Sequence, residues 1–139
     1  MTAVEPFRWP VRVYYEDTDA GGVVYYAKYL RFRERTRTEW LASLGFTLMA
    51  LQRDHGALFV VHRLDIAYRQ PARLYDALEV TFSLETLGRS RLAAAQDVLR
   101  GDERLVGARV TLACLDPVSW RPARIPAPVA AKIEPWKGH

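Results

Sequence analysis

One stretch of this chain repeats its large side chains at helical spacing over a long run, and it stands among segments that alternate like strands. Tyr25, Tyr29, Phe32, Thr36 and Trp40 fall three or four residues apart, as do Tyr26, Leu30, Arg33, Arg37, Leu41 and Leu44. The spacing predicts a helix of roughly twenty residues with one strong apolar stripe. Gly45 is a natural stop for it. A single helix cannot bury such a stripe alone, so a sheet must wrap around it. Its middle, Arg33 to Glu39, is heavily charged, so part of the helix is expected to face solvent or another subunit.

The flanking segments supply that sheet. Val11, Val13 and Tyr15 alternate with Arg12, Tyr14 and Glu16, which predicts a strand with one buried face. Thr47 to His55 reads as a shorter helix closed by Gly56. Four strand-like stretches follow: Phe59 to Arg69, the alternating Leu78 to Glu85, Arg91 to Arg100, and Arg104 to Leu115. Short turns at Gly88-Arg89 and Gly101-Asp102 make the later strands antiparallel neighbours. The expected class is α+β: an antiparallel sheet wrapped around one long helix, in the order β-α-β-β-β-β. Residues 1–139 form one expected domain. It has a short N-terminal tail, 1–6, and a proline-rich C-terminal tail, 117–139, with room for one short helix after Pro128.

Composition narrows the function classes. Half of the residues are hydrophobic and 26% are charged, as in ordinary globular proteins. No window reaches the roughly 18–20 apolar residues of a membrane-spanning helix. Met1 to Phe7 hold no apolar run, so neither a signal peptide nor a transmembrane segment is expected, and the expected location is cytoplasmic. The formal charge of +4 points to anionic partners. Arginine carries nearly all of it, with lysine only at positions 28, 132 and 137, and its planar fork suits phosphate. A nucleic-acid binder would cluster basic residues with aromatics on one face; here the arginines alternate with acids. The single cysteine, Cys114, lies in an apolar strand and is expected to be a buried, inert thiol. His55, His62 and His139 show no ligand spacing, so no metal site is expected. Neither a G-x-S-x-G elbow nor a G-x-x-x-x-G-K loop occurs.

The chemistry-bearing stretch is Tyr14-Tyr15-Glu16-Asp17-Thr18-Asp19-Ala20-Gly21-Gly22-Val23-Val24-Tyr25-Tyr26. It is a strand end, an acidic turn, two glycines and a helix N-terminus. Unpaired N–H groups and the helix dipole favour negative charge there. A carboxylate before such an end either caps the helix or sits beside an oxyanion-stabilising position. The paired glycines let a ligand approach the backbone closely.

The run Asp17-x-Asp19-x-x-Gly22-Val23-Val24, followed by Tyr29 and the helix, resembles the signature of 4-hydroxybenzoyl-CoA-type thioesterases. Residues 7–25 are similar almost letter for letter to the acyl-CoA thioesterases associated with the bacterial Tol–Pal system. The likeness continues through Glu34-Arg35, Arg37-Thr38-Glu39, Pro71-Ala72-Arg73-Leu74 and Asp116-Pro117. The resemblance implies the hotdog fold and hydrolysis of acyl-CoA to free acid and coenzyme A. No cofactor is implied, since coenzyme A is part of the substrate. Asp19 takes the place of the family's catalytic carboxylate, and the Tyr26 N–H that of the group polarising the thioester carbonyl. Asp19 would either attack the carbonyl or deprotonate a water. The Tol–Pal subfamily generally has histidine at the position of Tyr26, whereas the hydroxybenzoyl-CoA enzymes resemble this chain in having tyrosine.

Gly22, Val23 and Tyr25 are the expected substrate-binding neighbours. Arg89 and Arg91 are the first candidates for the coenzyme A phosphates, with Arg121 and Arg124 next. Asp17 and Thr18 read as turn formers. Glu34 is the reserve catalyst, with an ion pair to Arg37 or Arg33 as its structural role, and Leu51, Phe59 and Val61 are candidate pocket residues. The resemblance also implies a homo-oligomer, a dimer of hotdogs forming a tetramer with the site at the subunit interface. It extends to acyl carrier protein or phospholipid-synthesis enzymes as partners and a peripheral place at the inner membrane. The competing reading is a non-catalytic acyl-CoA sensor or scaffold, which has no need of Asp19. A hotdog dehydratase or hydratase would need a histidine near the helix start.

Overall fold

Strand β1 (Phe7–Arg12) forms one edge of the sheet, and the chain then passes through a single 3-10 turn, Tyr15–Asp17, before helix α1 (Lys28–Ser43). Helix α2 (Leu48–His55) and strands β2 (Leu58–Tyr68), β3 (Ala77–Leu87), β4 (Arg91–Ala95), β5 (Val98–Arg100) and β6 (Glu103–Leu115) follow. A last helix, α3 (Ala127–Ile133), and a 3-10 turn, Glu134–Trp136, close the chain. These elements belong to a computed structural model that describes residues 4–138. The first three residues of the expected N-terminal tail, and His139, lie outside the described residues.

The sheet order is β1-β3-β4-β6-β2, with β5 pairing β3 and β6, and every pairing is antiparallel. The sheet wraps α1, and the fold is the hotdog. Leu78, Val80, Phe82 and Leu84 of β3 are buried, as their alternation requires. They meet the stripe of α1, in which Tyr29, Phe32, Thr36 and Trp40 are buried. Trp40 stacks on Phe82 with ring centroids 4.1 Å apart.

Several boundaries differ from those expected, each for a local reason. The first strand starts at Phe7 and ends at Arg12; Pro10 is tolerated because β1 is an edge strand. Tyr15 is 81% exposed rather than buried. The Asp17 carboxylate accepts the Tyr14 N–H at 2.9 Å and bends the chain away from the sheet. The long helix begins at Lys28, not Tyr25. Val24 is held in strand-like bridging to Thr18, and Lys28, Tyr29 and Leu30 bond back three residues rather than four. The segment expected as a C-terminal tail is part of the core, with Ile125, Val129 and Ile133 buried.

The expected strand from Arg91 to Arg100 is broken at Gln96 and Asp97, which gives six strands. The break serves the helix. Arg33 is fully buried on α1, and its Nε donates to the Gln96 carbonyl at 3.1 Å while the Gln96 amide donates back to the Arg33 carbonyl at 3.2 Å. Arg37 donates to Gln96 Oε1 at 2.9 Å. Burial pushes the Arg33 guanidinium down to about 10, so it is still charged at neutral pH. Gln96 must turn inward to serve both arginines, and the strand kinks there as at a bulge. Gln96→Leu is expected to lower unfolding free energy by about 1–3 kcal/mol, because it removes the acceptor of the half-buried Arg37 and the donor to the Arg33 carbonyl. A urea midpoint equal to that of the wild type would show that this bonding is dispensable.

Candidate active site

The acidic turn folds into a small hairpin ahead of α1. Asp17 O accepts the Tyr25 N–H at 2.9 Å, Thr18 bridges Val24, and Asp19 N donates to Val23 O at 3.0 Å. Gly22 N closes the tip on Asp19 O at 3.1 Å. The second arm is held from its other side by the loop before β3, through Val24 N to Ala72 O and Leu74 N to Gly22 O. Gly22 sits at φ +75°, where side-chain-bearing residues are strained. The segment read as one linear motif is thus the middle of a three-layered loop.

Within it the two aspartates are distinct. Asp17 is buried, binds the Tyr14 N–H and faces Lys28 Nζ at 3.7 Å, anchoring the loop to the first residue of α1. Thr18 donates to Tyr15 O at 2.7 Å. Asp19 is exposed at the hairpin tip, and its Oδ1 accepts the Gly21 N–H at 2.9 Å. That bond orients the carboxylate within its own turn rather than on the helix end, so Asp19 is not the cap of α1.

The free donors lie before the helix. The N–H groups of Lys28, Tyr29 and Leu30 are tied back to Tyr25 O, Tyr26 O and Ala27 O at 2.8, 3.3 and 3.2 Å. Among the described residues, no hydrogen bond uses the N–H of Tyr26 or Ala27. The orphan donors of the helix start have therefore moved one turn upstream, next to the hairpin. Tyr25 and Tyr26 are exposed, with ring centroids 4.8 Å apart. Val23 keeps its backbone in a bridge to Arg73.

A cavity of about 270 Å³ opens beside Tyr26, lined by Val24, Tyr26, Tyr29, Tyr68, Gln70 and Pro71 among others. Tyr29 forms its buried floor, and burial pushes that phenol up. Reading the sequence alone missed Tyr68. It lies on β2, far along the chain from Tyr29, and no local periodicity joins the two. The candidates Leu51, Phe59 and Val61 do not form a common pocket. Leu51 is buried in the core, Phe59 packs against that core, and Val61 is exposed on the edge strand. Glu34 sits in a groove on the outward face of α1 with Trp9, Arg31 and Arg35. Its expected ion pair is not found among the described residues; Arg33 and Arg37 bond to Gln96 instead.

Arg89 and Arg91 are exposed, but they lie at the other end of the sheet from Asp19. The hairpin adjoins the loop before β3 through Leu74 N to Gly22 O, whereas Arg89 follows the end of β3. Ten residues of strand separate the two places by roughly 33 Å. Backbone bonds from Cys114 to Ser90, from Ile125 to Arg89 and from Ala123 to Cys114 bring Arg121 and Arg124 to that same end. None of these four arginines is in an ion pair among the described residues. Cys114 is buried there, and burial pushes its thiol up. No group of three or more potential metal ligands is gathered among the described residues.

A sheet wrapped around one long helix defines a hotdog protein, and free N–H groups beside the Asp19 hairpin mark its candidate site. The sequence profile of the thioesterase superfamily, 4HBT, matches residues 21–107. The chain belongs to that superfamily. It is 42% identical over 129 residues to the acyl-CoA thioester hydrolase YbgC of Escherichia coli, covering 92% of this chain and 96% of that one. The acyl-CoA thioesterase YbgC of Haemophilus influenzae is 43% identical over 125 residues, covering 90% and 92%. Among solved structures, a probable thioesterase from Bartonella henselae superposes with a TM-score of 0.82 at 34% identity, covering 88% of this chain and all of that one.

Replacing Gly22 by alanine forces a side chain into the left-handed region. The expected result is a loss of about 1–2 kcal/mol in stability, read in a denaturant titration. An unchanged midpoint would mean that the hairpin tip relaxes freely.

Proposed function

We propose that this chain hydrolyses acyl-CoA thioesters to the free acid and coenzyme A. The observation that carries this reading is the unpaired Tyr26 N–H on the hairpin whose tip is Asp19. The reaction is the one for which the YbgC relatives are named. A thioester carbonyl placed on the Tyr26 N–H has its growing negative charge stabilised there; losing one such donor in acyl transfer costs about 2.7–4 kcal/mol. Asp19 then acts in one of two ways. Its carboxylate attacks the carbonyl and expels the coenzyme A thiolate, leaving a mixed anhydride that water opens. Otherwise it takes a proton from a water that attacks directly.

The phosphate-binding arginines enter through a second copy. Strand β2 pairs β6 on one side only, and its outer edge is free to pair. Antiparallel pairing of two β2 strands lays the start of one beside the end of the other. The arginine end of one copy then lies beside the Asp19 end of its mate, and two such dimers make the expected homotetramer. No helix among the described residues is long and apolar enough to cross a membrane.

Asp19→Asn is expected to lower kcat on a panel of acyl-CoAs by about a hundredfold or more, the scale of a positioned acid or base. Glu34→Gln should stay near wild type. Equal activity of wild type and Asp19→Asn would move the catalytic role to Glu34, and binding without turnover in any form would favour the sensor reading.

Arg89→Ala and Arg91→Ala should each raise KM for acyl-CoA roughly tenfold, as for the loss of a charged hydrogen bond. They should leave KM for acyl-pantetheine thioesters, which lack the nucleotide phosphates, unchanged. Equal effects on both substrates would remove these arginines from phosphate binding.

A further inference from the structure

We propose that Tyr68 is a specificity-determining residue, whose ring closes the pocket beside Tyr26 and selects compact acyl groups over long linear chains. The inference rests on the hydrolase reading above and adds the residue that sets its acyl class. A carbonyl held on the Tyr26 N–H leaves its acyl substituent within reach of the cavity that the same residue lines. That cavity, at about 270 Å³, falls below the roughly 300–1,000 Å³ of pockets that take drug-sized ligands.

Three of its walls are fixed. Val24 is buried and donates its N–H to Ala72 O at 2.8 Å. Tyr29 is buried, and its phenolic oxygen accepts the Ala72 N–H at 3.0 Å. Pro71 has a backbone angle locked by its ring. The other lining residues, Tyr26, Arg69, Gln70 and Tyr68, are exposed, and of these Tyr68, the last residue of the edge strand β2, is the one whose ring bridges the sheet edge to the turn before α1. Its ring lies 5.8 Å from that of Tyr29 and 6.4 Å from that of Tyr26, nearly perpendicular to the latter at 82°. The hydroxyl donates to the Tyr26 carbonyl at 3.4 Å, so the side chain spans the gap between the sheet edge and the turn before α1.

Aromatic walls in edge-to-face array offer contact to a single ring or a short apolar group. A long chain has to displace the Tyr68 ring to pass. Tyr68 is 49% exposed, so it can be exchanged without emptying the core. Val suits the strand as a second small replacement, and Phe keeps the ring.

The test measures kcat/KM on butyryl-, benzoyl- and palmitoyl-CoA for wild type, Tyr68→Ala, Tyr68→Val and Tyr68→Phe. Wild type is expected to favour butyryl- and benzoyl-CoA. The ratio of palmitoyl to butyryl activity should rise about tenfold or more in the alanine and valine variants, within the range of pocket-size discrimination. In Tyr68→Phe it should hold. A ratio unchanged in both small variants, or a wild type that already prefers palmitoyl-CoA, overturns the role of Tyr68 while leaving the hydrolase intact. A wild type that hydrolyses no member of the panel sinks the hydrolase reading, and this one with it.

Discussion

The burial of one face of α1 against β3 is the constraint on which everything else in this protein depends. Trp40 stacked on Phe82 supplies the apolar part of that contact. Arg33 supplies a polar part, because a buried guanidinium is tolerated only where carbonyls receive it. Gln96 meets that need with its backbone carbonyl, and its side chain returns a bond to the helix. These directional bonds fix the helix along the sheet in a way that apolar contact alone does not. The kink between β4 and β5 is the local consequence.

With the helix so placed, its N-terminal end determines where the chemistry falls. The chain arrives from β1 through a loop that Asp17 pins to Lys28. The hairpin bonds of Val24 and Tyr25 delay the start of the helix, and the turn-like bonds of its first residues leave the Tyr26 and Ala27 N–H groups over. Asp17 builds the loop, which leaves Asp19 exposed at the tip. Two carboxylates with one residue between them thus stand in opposite environments, Asp17 buried and Asp19 exposed.

The two ends of the sheet differ in character. The seven tyrosines belong to the 3-10 turn after β1, to the hairpin and the start of α1, to the end of β2 or to the loop before β3, and so gather at one end. Arg89, Arg91, Arg121 and Arg124 gather at the other. A strand's length keeps the tyrosine cluster and these four arginines apart within one chain. The outer edge of β2 is unpaired, and an antiparallel mate laid along it would bring unlike ends of two chains together.

Much of this was legible in the letters. The stripe Tyr29, Phe32, Thr36 and Trp40, the alternation of β3 and the turns after Leu87 and Arg100 are short-range patterns, set within a few residues, and the motif from Asp17 to Val24 was legible through its resemblance to a thioesterase signature. The amino-acid sequence therefore determined the elements, the wrapped architecture and the candidacy of Asp19. Only the tertiary structure decided that α1 starts at Lys28, that Arg91 to Arg100 breaks at Gln96, that the proline-rich C-terminal segment is core, and that Tyr68 lines the cavity beside Tyr26. Each of these rests on a contact between residues distant in the chain, such as Arg33 with Gln96, Val24 with Ala72 or Tyr29 with Tyr68. Such pairings depend on how the sheet curls around the helix, and no local pattern of side chains encodes them.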